Sequence, residues 1–74
     1  MPRLPVLSGR EIVVAFERAG WRVSRRAPGS HIVMNKSGAR LNVSEPDHRE
    51  VKVGTLRGLI RKAGMTVEEF LALL

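Results

Sequence analysis

His31 is the side chain of this 74-residue sequence best placed by type and setting to do chemistry. It closes the tripeptide Gly29-Ser30-His31, and the apolar-rich run Ile32-Val33-Met34 follows, so the imidazole sits where a turn becomes a strand. Histidine's ordinary pKa, about 6.5, is the nearest to neutrality of any side chain, and such a group accepts or donates a proton at working pH. Gly29 would let a phosphate approach the backbone closely and Ser30 can donate a hydrogen bond to it, although both residues also suit a plain turn. Arg25, Arg26 and Lys36 flank the strand as candidate phosphate contacts. This is an address for acid/base work on a phosphodiester. The second histidine, in Pro46-Asp47-His48-Arg49, fits either a general acid or a solvated loop residue.

The charge balance points the same way. Thirteen basic and seven acidic side chains give a formal charge of +6; eleven of the basic residues but three of the acids lie between Arg18 and Lys62. A net charge of this size keeps small domains apart, and concentrated in mid-sequence it also suits a polyanion, nucleic acid ahead of anionic lipid because no long basic amphipathic helix is present. RNA suits the histidine. Its 2′-hydroxyl attacks the neighbouring phosphorus once a base removes the proton, cations steady the phosphorane oxygens and an acid protonates the leaving 5′-oxygen. Metal catalysis has little support in the sequence, which has no cysteine, two histidines and acids without ligand spacing.

Length and composition bound the setting. A chain this short makes one domain, residues 1–74, whose stability must come from packing or a partner, since it has no disulfide. No apolar stretch approaches the roughly 20 residues that cross a bilayer, and Met1-Pro2-Arg3-Leu4-Pro5 lacks the apolar region of a secretory signal. The expectation is an intracellular, cytoplasmic protein.

Three helices and three strands must position His31. Ser8 and Glu11 form a capping box flanked by Leu7 and Ile12, and Ile12, Ala15, Phe16 and Ala19 keep helical spacing up to Gly20, predicting a helix from about Gly9 to Ala19. Trp21 and Val23 then alternate with Arg22 and Ser24 as a first strand, with Trp21 expected in the core rather than stacked on a base. Arg25 to Gly29 break that alternation. A second strand from Ser30 to Asn35 puts Ile32 and Met34 on one face and His31, Val33 and Asn35 on the other; Lys36-Ser37-Gly38 turns into a third strand, Arg40 to Ser44. After a polar loop, Val53, Leu56, Leu59, Ile60 and Ala63 mark a second helix ending at Gly64. Thr66 and Glu69 cap a last one through Leu74, with Phe70, Leu71 and Leu74 packing. The expected fold is a two-layer α+β domain of order α-β-β-β-α-α, a three-stranded antiparallel meander with helices on one face.

With those segments placed, nearly the whole chain resembles the HicA family of toxin ribonucleases. The resemblance rests on Ala19-Gly20-Trp21 closing the first helix, on Arg26-Ala27-Pro28-Gly29-Ser30-His31, and on the tail from Gly54-Thr55-Leu56-Arg57-Gly58 through Ala63-Gly64-Met65-Thr66 to Glu69-Phe70. It implies a double-stranded-RNA-binding-domain-like fold, mRNA cleavage by the motif histidine without a cofactor, and neutralisation by a HicB-type antitoxin. The chain departs from many relatives in having Ile32 directly after the motif histidine. Pro46-Asp47-His48 stands nearest to a Pro-His element found near the end of their third strand.

The expected function is a metal-independent toxin endoribonuclease, with His31 catalytic and Arg25, Arg26, Gly29, Ser30 and Lys36 on the RNA. A non-catalytic RNA-binding module is the alternative, and a subunit whose basic face docks an acidic partner is a third reading.

Overall fold

Two capping boxes fix where helices begin. In the computed structural model, which describes residues 3–27, 31–44 and 47–74, the Ser8 hydroxyl accepts the amide of Glu11 at 3.1 Å while Glu11 Oε1 accepts the amide of Ser8 at 3.0 Å. These bonds satisfy two amides that a helix start leaves without partners. α1 (Gly9–Arg18) follows and stops at Gly20, whose φ of +96° a side-chain-bearing residue rarely adopts. Thr66 and Glu69 repeat the device before α3 (Val67–Leu71).

Between them lie β1 (Arg22–Ala27), β2 (His31–Lys36), β3 (Ala39–Val43) and α2 (Val53–Lys62), giving the expected order α-β-β-β-α-α. The sheet is antiparallel in the order β1-β2-β3, with β2 in the centre. Ser37 and Gly38 join β2 to β3 with φ of 49° and 84°, the doubly left-handed pair that matches the twist of a two-residue hairpin.

One strand runs longer than its alternation predicts. β1 does not break after Ser24 but continues to Ala27, and its register against β2 slips between Val23, opposite Met34, and Arg25, opposite Val33. Ser24 is the extra residue of a bulge, and its hydroxyl donates to the Val33 carbonyl at 3.3 Å. Alternation resumes beyond it, shifted by one residue. The last helix is shorter than expected. It ends at Leu71 because the amides of Leu73 and Leu74 turn back to the carbonyls of Phe70 and Leu71, three residues earlier, and Leu74 is left 50% exposed rather than packed.

All three helices cover one sheet face. Ile32, Met34, Leu41 and Val43 point into the core from the strands and meet Ile12 and Phe16 of α1, Leu56 and Ile60 of α2, and Phe70 of α3. Phe16 lies at its aromatic centre, 5.3 Å from the ring of Phe70 and edge-on to Trp21 at 6.4 Å, so Trp21 is a core residue. An isolated bridge between Leu7 and Val51 ties the approach to α1 to the approach to α2. The result is an α+β two-layer fold of the double-stranded-RNA-binding-domain type, with the second sheet face bare.

Candidate active site

Strand parity decides what that bare face carries. Residues opposite one another in an antiparallel pair point to the same side, so the rows across the sheet can be read from the register. Arg22, Asn35 and Arg40 make one row; Arg25, Val33 and Asn42 make the next; His31, opposite Ala27, begins the row after that. Val33 is half-buried and the polar members of these rows are exposed. No acid occurs in any of the three strands. Among the described residues the open face is therefore basic and single-signed, with a histidine at one end.

His31 has a partner there. Its Nδ1 lies 3.3 Å from Oδ1 of Asn42, the diagonal neighbour on β3. Arg25 is its diagonal neighbour on β1, at a Cα separation of about 7–8 Å by ordinary sheet geometry, within reach of one phosphate for two long side chains.

The other expected contacts divide between the two faces. Arg26 pairs with Ile32, which places it on the helix side, where it lines a hollow of about 400 Å³ with Arg10, Val13, Val14, Glu17, Ile32 and Asp47. Lys36 also turns to the helix side; its Nζ donates to the Ala19 carbonyl at 2.6 Å, placing a cation at the negative end of α1. Gly29 and Ser30 lie outside the described residues. His48 sits at the start of α1, its carbonyl accepting the Gly9 amide at 3.0 Å and its side lining a hollow with Ser8, Arg10, Asp47 and Arg49. The described contacts thus bring Arg25, but neither Arg26 nor Lys36, onto the face of His31.

Sequence reasoning missed Arg22, Arg40 and Asn42. Arg22 and Arg40 could have been found from the alternation already used for Trp21 and Leu41, which leaves each of them pointing away from the core. Asn42 could not: its place beside His31 follows from the pairing register of β2 with β3. Among the described residues no group of three or more His, Cys, Asp or Glu side chains gathers to hold a metal ion. No described helix is long and apolar enough to cross a membrane.

The HicA_toxin family model, described as HicA toxin of bacterial toxin-antitoxin, matches residues 9–65, which run from the first turn of α1 to the turn after α2 and include the whole sheet. No curated protein and no solved structure matches the chain. With more than half of its length under that model, this chain belongs to the HicA family of toxins from bacterial toxin–antitoxin systems.

Proposed function

We propose that this toxin is an endoribonuclease that cuts mRNA by metal-independent acid/base catalysis with His31 and is held inactive by a HicB-type antitoxin in the cytoplasm. One observation carries the reading: an exposed imidazole, already hydrogen-bonded through one ring nitrogen, stands on an open sheet face whose charged groups, among the described residues, are all cations. Family membership supplies the toxin–antitoxin setting.

RNA lies along the open face with its phosphates toward Arg22, Arg25 and Arg40. His31 takes the proton from a 2′-hydroxyl as that oxygen bonds to phosphorus. The bond from phosphorus to the 5′-oxygen breaks, the departing oxygen takes a proton from water, and the hydroxide left behind takes the proton back from His31, which restores the neutral base. Arg25, the diagonal neighbour, steadies the negative oxygens of the phosphorane. Ser30 and Gly29 keep their proposed role beside the scissile phosphate, just before His31 in the chain. Arg26, on the helix side, is at most a secondary contact at the sheet edge, and Lys36, whose ammonium is bonded to the Ala19 carbonyl, adds its charge at the end of the hairpin without holding a phosphate.

The nature of the nucleophile tests this chemistry. Deoxyribose at the scissile position abolishes cutting there while leaving binding nearly unchanged, and the products of the all-ribose substrate carry a cyclic phosphate, or its hydrolysed form, on one fragment and a 5′-hydroxyl on the other. Cutting of the deoxy substrate at that position overturns the mechanism. Binding of both substrates with cleavage of neither identifies a non-catalytic RNA-binding module.

A further inference from the structure

An imidazole can act as a base only through a nitrogen that carries no proton, and the two ring nitrogens of His31 are not equivalent. Nδ1 lies 3.3 Å from Oδ1 of Asn42. An amide oxygen has lone pairs and no hydrogen, so it can only accept. With the amide oriented as it stands, Oδ1 toward the ring, the contact is a hydrogen bond when Nδ1 holds the proton and a repulsion between two lone pairs when the proton is on Nε2. Neutral His31 is thereby biased toward the form with Nδ1–H, which leaves the lone pair on Nε2, the nitrogen further from the strand.

We propose that Asn42 is the positioning residue of this site: it holds His31 in the Nδ1–H tautomer and selects Nε2 as the atom that receives the 2′-hydroxyl proton. The proposal rests on the reading of His31 as the base. Its logic is that of any base oriented by a third group, with an amide in place of the usual carboxylate. The amide suits this face. Among the described residues the charged groups on that side of the sheet are Arg22, Arg25 and Arg40, and a carboxylate in place of Asn42 would draw them from phosphate, whereas an amide orients the ring without adding charge. Asn42 belongs to the two-residue hairpin closed by Ser37 and Gly38, and the pairs Met34–Leu41 and Ile32–Val43 beneath it are buried, so its distance from His31 is set by a packed, regular ladder.

Two measurements test the assignment, and the first needs no RNA. Nitrogen-15 NMR of the ring at a pH where it is neutral distinguishes a protonated from a bare nitrogen. Wild-type protein shows a protonated Nδ1 and a bare Nε2, and Asn42→Ala moves the population toward Nε2–H while the backbone spectrum stays folded. An unbiased or Nε2–H wild-type ring, or an unchanged ring in Asn42→Ala, overturns the proposal even if His31 proves catalytic. The second is turnover at saturating RNA. Asn42→Ala lowers kcat about tenfold with KM nearly unchanged, the rate equivalent of the upper end of one neutral hydrogen bond. Asn42→Asp keeps the acceptor oxygen and so restores kcat, while its charge raises KM. Equal kcat in wild type and Asn42→Ala overturns the catalytic consequence. Loss of kcat in both variants alike, with folding intact, overturns the acceptor role. If His31→Ala cleaves normally, the ribonuclease reading fails separately, and the ring measurement still reports on the Asn42 contact.

Discussion

At the scale of single residues, what a side chain is bonded to separates those available to a substrate from those tied into the fold. His31 is exposed and its one described side-chain partner is Asn42, so it can be changed without disturbing the core. Its candidacy as the base was legible from the tripeptide, because a glycine, a hydroxyl and an imidazole at a turn are local features. Lys36 shows the opposite case. From the sequence it is one more cation beside the strand, whereas in the fold its ammonium binds the last turn of α1 through Ala19. Lys36→Met therefore lowers stability by about 0.3–1 kcal/mol, the range for a cation at a helix end, as read from the urea midpoint. An unchanged midpoint would free that lysine for RNA.

At the scale of elements, most boundaries were legible because each has a chemical signature: Ser8 with Glu11, Thr66 with Glu69, and glycine at positions 20, 38 and 64. The bulge at Ser24 had none. A bulge is defined by the strand across from it, and within β1 it resembles the end of a strand, which is why Arg25 and Arg26 read as a turn-side pair instead of residues on opposite faces. That division makes a prediction. If RNA uses the open face, Arg25→Glu weakens binding and reduces the slope of log affinity against log salt by about 0.7 or more, one lost phosphate contact on a single strand, whereas Arg26→Glu changes the slope less. A larger effect at Arg26 moves the RNA to the helix side. The hairpin is tested by Gly38→Ala, which forces a side chain into the left-handed region and lowers stability by about 1–2 kcal/mol in a denaturant titration. A neutral result would mean that the turn can change type.

At the scale of the whole molecule, the chain is a slab with extents of 37 × 28 × 17 Å, helices on one side and a bare sheet on the other. One core supports both. Phe16 and Phe70 are fully buried and in ring contact, and removing either large aromatic leaves a cavity that costs about 3–5 kcal/mol. A chain of this length holds roughly 4–11 kcal/mol in total, so Phe70→Ala removes a large share of it and melts far below the wild type in the same titration. A variant within 1 kcal/mol of wild type would place the stability elsewhere. The bare face was foreseen in outline, since alternation put His31 opposite Ile32 and Met34; its composition was not, because Arg22, Arg40 and Asn42 come together only when the rows are assembled. The central claim is that this face cleaves RNA with His31. Purified wild-type and His31→Ala proteins, matched for circular dichroism and RNA affinity, should be incubated with end-labelled mRNA in the presence of chelator. The wild type cuts, and the variant is slower by about 10²–10⁴, the contribution of one general base; a folded His31→Ala protein that cuts within a few-fold of the wild-type rate would contradict the account.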